Sequence, residues 1–203
     1  MSQQQQAFNR AVAFIDAANS QDPYMDSDTH MIWPKELLYS HRMTNMLLRY
    51  ASDPDDAIKL AVRAQHIERW KLPRSVYPNG RKGYLKWRTD LYKFHGDTVA
   101  KLLMQAGYVE EFIKRVKAAV EKKSLKNNPN SQLIEDVTVL VFIEYYIIDF
   151  TTKHPEYNEE KWRNIINKAW KKMSERAQLF ALSGGITIPE TLTPLIQKSI
   201  SGN

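Results

Sequence analysis

The longest apolar run in the chain, VTVLVFIEYYIIDF at 137–150, is the first constraint on its fold. It is shorter than the roughly 20 residues a helix needs to cross a bilayer, and it contains Glu144. It therefore reads as a buried helix, and no membrane partner is expected. Around it, apolar residues recur at helical spacing in segment after segment. Phe8, Val12, Phe14, Ile15 and Ala18 form one stripe over about 4–18, closed by NSQDP. Leu37, Leu38, Met43, Met46, Leu47 and Tyr50 form another, entered through Pro34. Ile58, Ala61, Val62 and Ala64 follow Ser52, the expected cap, and Pro54. Further helices are expected over 84–105, 109–122, 132–150 and 159–179. No segment has the pattern of a parallel sheet. The fold class read from this is all-α, one compact multi-helix domain over 1–203 with a loose C-terminal tail.

Composition narrows the chemistry. The chain has 203 residues, 43% of them apolar, which suffices for a core without staples. It has no cysteine, which excludes thiolate metal sites, redox dithiols, cysteine nucleophiles and a disulfide framework. The start, MSQQQQAFNRAVAFID, lacks a basic region followed by an apolar stretch, so a cytoplasmic location is expected. The net charge of +6 favours anionic partners without diagnosing nucleic acid. Its distribution says more: residues 69–93 hold eight basic side chains and one acid, Asp90. Within this stretch KLPRSVYPNGRKG forms a basic loop at 71–83. A second basic group, KRVKAAVEKKSLK at 114–126, reads as a solvated helix face with a frayed end.

Candidate chemistry centres on RAQHIERW at 63–70. His41, His66 and His95 fall in three separate expected helices, and Asp136 lies at the start of a fourth. No pair has zinc-finger or HExxH spacing, so a shared site must be assembled by folding. If assembled, His41, His66, His95 and Asp136 would suit a divalent ion of the Fe, Mn, Zn, Ni, Co or Mg group. The competing reading makes each histidine a surface or satisfied core group and Asp136 a helix-start acid. Glu68 and Glu135 are the candidates for positioning water or moving a proton. Arg63, Arg69, Arg74, Arg81, Lys82 and Arg88 are the candidates for binding a phosphorylated ligand. Tyr77, Tyr84 and Trp87 would suit base stacking, although Trp87 and Phe94 fit core packing better.

The stretches WPKELLYSHRM, RAQHIERWKLPRSVYPNGRKGYLKWR, the pair Phe94–His95, SQLIEDVTVLVFIE and KAWKKMS resemble an uncharacterised family of small helical proteins, domain of unknown function 4202. More loosely, the order His41, His66, Asp136 resembles the HD-domain metal-dependent phosphohydrolases. That resemblance implies an HD-like helical bundle and hydrolysis of a small phosphorylated substrate or nucleotide. Residue 67 is Ile where the HD pattern places its aspartate, so His95, Glu68 or Glu135 would have to complete the ligand set. Two alternatives stand beside this expectation: an HD-like iron oxygenase, and a non-catalytic module binding nucleic acid or protein through the basic segment.

Overall fold

A computed structural model describes residues 2–122 and 129–192. Of the expected C-terminal tail, the part after residue 192 lies outside the described residues, while Ile186 and Leu192 are buried in the core. Helix α1 (Gln3–Asn19) starts at Ser2, whose hydroxyl accepts from the Gln5 amide. A short antiparallel hairpin follows, β1 (Met25–Ser27) on β2 (Ile32–Pro34), with Asp26 opposite Trp33. It is the only sheet among the described residues. Its strands are too short to show a period-two pattern in the sequence.

Helices α2 (Lys35–Tyr50) and α3 (Asp56–Arg63) come next, then two short 3-10 turns at Arg69–Lys71 and Arg74–Val76. The cap of α3 is Asp55, which accepts from the Ile58 amide at 2.9 Å, and not the expected Ser52. Helix α4 (Gly80–Gln105) begins four residues before the expected Tyr84. At 1.5 Å per residue its 26 residues span about 39 Å. Helix α5 (Glu110–Val120) returns along it, and α6 (Pro129–Val141) crosses beneath α2 and α3. A π-helical turn (Phe142–Tyr146) joins α6 to α7 (Ile147–Thr152). Helices α8 (Glu159–Trp170) and α9 (Glu175–Phe180) complete the fold. The architecture is all-α, as the periodicity predicts.

The core collects residues from α1 to α9. Ile15, Met43, Met46, Leu47, Leu60, Leu103, Leu140 and Ile143 are at most 2% exposed. Each such side chain contributes about 1.5–3 kcal/mol relative to an exposed position. No helix among the described residues is long and apolar enough to cross a membrane.

One polar group ties together three elements, α2, α6 and the start of α9. Asp136 is 2% exposed and accepts four hydrogen bonds. These come from the Tyr50 hydroxyl (3.0 Å), the Ser174 hydroxyl and amide (2.7 Å each) and Gln132 Nε2 (2.9 Å). Ser174 in turn caps α9 by accepting from the Ala177 amide. The expected single helix 159–179 is therefore two, broken at 171–174 where Ser174 turns to Asp136. Asp136→Ala leaves buried donors on Tyr50 and Ser174 unpaired and is expected to cost about 3 kcal/mol. Urea unfolding measures it; a variant as stable as the parent would show that the carboxylate has no such role.

Candidate functional site

Helix α3 stops at Arg63, so His66 is carried by a turn and not, as expected, by a helix face. Two anchors end the helix there. The Arg63 carbonyl accepts from the Ser40 hydroxyl (2.9 Å), and the Arg63 guanidinium forks onto Asp16 at 2.6 and 2.7 Å. The chain then folds back through Glu68, whose φ of 51° is left-handed and whose amide donates to Asn19 Oδ1. Ile67 is fully buried, and its carbonyl accepts from His95 Nδ1 at 2.7 Å. A carbonyl only accepts, so His95 is protonated at Nδ1. His95 Nε2 is buried without a hydrogen-bond partner.

With Ile67 held inward, His66 projects the other way. Its ring stacks on Tyr39 with centroids 4.0 Å apart and lies 6.1 Å from the His95 ring. Nδ1 is 3.4 Å from Glu36 Oε2, and Nε2 is 3.3 Å from the Arg69 guanidinium. Arginine can only donate, so Nε2 carries the lone pair and Nδ1–H faces the carboxyl group. The approach brings the two groups close without a hydrogen bond, and Glu36 Oε2 is buried without a partner.

His66, Glu36 and Tyr39 form part of the wall of a cavity of about 520 Å³, within the range of small-molecule sites. Six cationic side chains line it: Lys35, Arg69, Arg88, Lys122, Lys168 and Lys172. Its acids are Glu36 and Glu135. Glu135 bridges Lys122 (2.7 Å) and Lys172 (3.4 Å). Lys35, Arg69, Arg88 and Lys168 make no ion pair among the described residues. The pocket therefore has an unbalanced positive charge, carried by half-buried Arg69 and Arg88 and by the exposed Lys35 and Lys168 at its rim.

The electrostatics follow from that crowding. Burial pushes His66 well below the usual imidazole value, and the nearby charges of Arg69, Lys122, Arg88 and Lys35 push the same way. His66 is neutral at pH 7. Burial, and then His66, also hold His95 well below its usual value. Burial raises Glu36 to about 7, against the opposing pull of Arg69. Burial lowers Lys122, more than its pairing with Glu135 restores. Burial raises Glu135, but Lys122 and Lys172 outweigh it and hold the carboxylate ionised.

The expected site residues divide sharply. His66, Glu135, Arg69 and Arg88 line the cavity. His95 stands behind His66 and supports its loop. His41 does not join them. It lies with Trp33 and Arg42 in a separate depression, its ring edge-on to the Trp33 indole at 5.2 Å. Asp136 is committed to its four donors. The four proposed metal ligands therefore do not converge, and no group of three or more His, Asp or Glu able to hold a metal occurs among the described residues. The residues present do not fit the divalent ion (Fe, Mn, Zn, Ni, Co or Mg) expected from the sequence.

Several other expectations need correction. Glu68 turns to Lys71 at 2.5 Å and does not line the cavity. Arg63 is spent on Asp16. Arg74 donates to the carbonyls of Tyr77 and Pro78, closing its own loop. Arg81 and Lys82 are exposed at the start of α4. Trp87 is core-facing, as expected, with its indole N–H on the Leu72 carbonyl. Tyr77 bonds Asp90, and Tyr84 borders the cavity. The sequence reading missed Glu36, Lys35 and Lys122. Lys122, expected on a solvated face, has a side chain only 8% exposed.

The family model for the Domain of unknown function (DUF4202) matches residues 9–196. The chain belongs to this family. No curated protein and no solved structure matches it. The DUF4202 match spans every element that builds the cavity, from Lys35 on α2 to Lys172 after α8.

Glu36 gives this site a pH signature. Between pH 4.5 and about 7 the folded protein keeps a proton on Glu36 that the unfolded chain has released. Stability from this group is therefore full below 4.5 and falls as pH rises through that window. Glu36→Gln removes the dependence. It is expected to match the parent near pH 4 and exceed it at pH 8 by about 2–3 kcal/mol. Denaturant melts at the two pH values check this; parallel pH profiles for parent and variant would refute it.

Proposed function

We propose that the protein is a phosphohydrolase-like enzyme whose cavity binds a small phosphorylated compound beside His66. The observation that carries this reading is the set of four cations, Lys35, Arg69, Arg88 and Lys122, whose fields converge on one neutral imidazole. A phosphate dianion there would receive the paired donors of Arg69 and Arg88 and the point charges of the lysines. It would also draw Arg69 away from His66 Nε2 and leave that nitrogen open to a water molecule.

The chemistry then needs few parts. The water oxygen bonds to phosphorus while its proton passes to His66 Nε2, and the phosphorus–oxygen ester bond breaks. Glu36, facing Nδ1–H, stabilises the imidazolium that forms. The leaving oxygen takes that proton from the imidazolium, which returns His66 to its neutral form. Arg69, Arg88 and Lys122 offset the charge that gathers on the phosphoryl oxygens. No step passes through a metal. The reading rests on the cavity and not on the HD ligand set, whose His41 and Asp136 lie outside it.

Calorimetric titration of the full chain with inorganic phosphate and phenyl phosphate at low salt tests the binding. Arg69→Ala and Arg88→Ala are each expected to weaken it about 10-fold. Lys86→Ala, which removes an exposed lysine paired with Asp90 outside the cavity, is expected to leave it unchanged. Phosphate release from phenyl phosphate is expected to survive a chelator and to fall about 100-fold in His66→Asn. Failure of both phosphates to bind, or turnover unaffected by His66→Asn, would overturn the proposal.

A further inference from the structure

The cavity lining is of two kinds. The cationic side is built by Lys35, Arg69, Arg88 and Lys122. The lining also includes the apolar Val139, Phe142, Tyr146, Phe150, Ile165 and Ala169, contributed by α6, the π-helical turn, α7 and α8, with Lys168 and Lys172 beside the last two. The aromatic part of this wall is braced from behind. Phe150 meets Phe142 edge-on at 5.9 Å and Trp162 edge-on at 5.6 Å, so its ring is held between two others. Phe150 and Ile165 are only half-buried and lie outside the central core. Their apolar surface faces the cavity.

We infer that the compound bound here is a phosphate ester with an apolar, hydroxyl-poor body, aryl or prenyl in type, packed on the Phe142–Phe150–Ile165 wall. This rests on the phosphate-binding reading above and adds the identity of the non-phosphate part. Of the uncharged hydrogen-bonding groups in the lining, Thr138 and Tyr84 are engaged within the protein, while the Tyr146 hydroxyl is buried without a partner. Thr138 donates its hydroxyl to the Ile134 carbonyl at 2.7 Å, and the Tyr84 hydroxyl accepts from Arg88. A sugar body would surrender water from each of its several hydroxyls and find at most the Tyr39 and Tyr146 hydroxyls as neutral partners in exchange. An apolar body removes its own surface and that of Phe150 and Ile165 from water. The cations therefore select the phosphate, and the apolar lining selects against a polyhydroxylated body.

The test is calorimetric titration of the full chain with five probes: inorganic phosphate, phenyl phosphate, dimethylallyl phosphate, ribose 5-phosphate and adenosine monophosphate. Phenyl or dimethylallyl phosphate is expected to bind at least about 10-fold more tightly than ribose 5-phosphate. Which of the two binds better separates a flat aryl body from a prenyl one. Phe150→Ser and Ile165→Ser are expected to erase that preference while leaving inorganic phosphate binding unchanged. The two variants sit on different helices, so loss of folding in one leaves the other as the test. Three results would overturn the inference and leave the phosphate reading standing. These are equal binding of phenyl phosphate and ribose 5-phosphate, tighter binding of adenosine monophosphate than of either apolar ester, or a preference that survives both variants. Failure of every probe, inorganic phosphate included, would overturn the phosphate reading and this inference together.

Discussion

The hydrogen bond from His95 Nδ1 to the Ile67 carbonyl is the contact on which the candidate site depends. A turn such as Ala64–Glu68 has backbone groups that no helix satisfies, and in a buried setting each needs a partner. α4 supplies one through His95. With Ile67 seated in the core and its carbonyl occupied, the residue before it has only one direction left. That direction points His66 onto Tyr39 and toward Glu36. A hydrogen bond between two buried groups thus sets the orientation of a side chain that neither of them contains.

The same logic explains the charge distribution. A cavity lined by six cations would be costly if all were fully desolvated and unopposed. The fold limits that cost in two ways. Glu135 neutralises the most buried lysine, Lys122, and leans on Lys172 as well. Arg69 and Arg88 are held over aromatic rings, Trp87 at 5.0 Å and Tyr92 at 5.0 Å, which offer weak attraction without cancelling the charge. What remains is a positive field that adds to burial in keeping His66 neutral, carried by side chains that can still turn to a ligand.

The helical fold was legible because its cause is local: apolar residues at three- and four-residue spacing bury one face wherever they occur. The hairpin at 25–34 was not, since two three-residue strands leave no periodic trace. The site was legible in part. His66, Arg69, Arg88 and Glu135 could be named because their residue types are chemically suggestive. Glu36 could not be, because an acid in the first turn of a helix normally faces water and favours the helix dipole. Its burial comes from elements distant in sequence. Arg63, Arg74 and Asp136 misled for the opposite reason. They are chemically capable, but a carboxylate, two backbone carbonyls and a capping serine had first claim on them. Type alone cannot reveal such prior commitments.

The π-helical turn at Phe142–Tyr146 lies within the apolar run, between the cavity-lining residues Val139 and Phe150. On an ordinary helix each residue advances the face by about 100°. Core and cavity residues nevertheless occur on both sides of the turn: Leu140 in the core and Val139 in the lining before it, Ile147 in the core and Phe150 in the lining after it. The run keeps one face on the core and another on the cavity straight through the wider turn. A single stretch of sequence thus serves two environments at once.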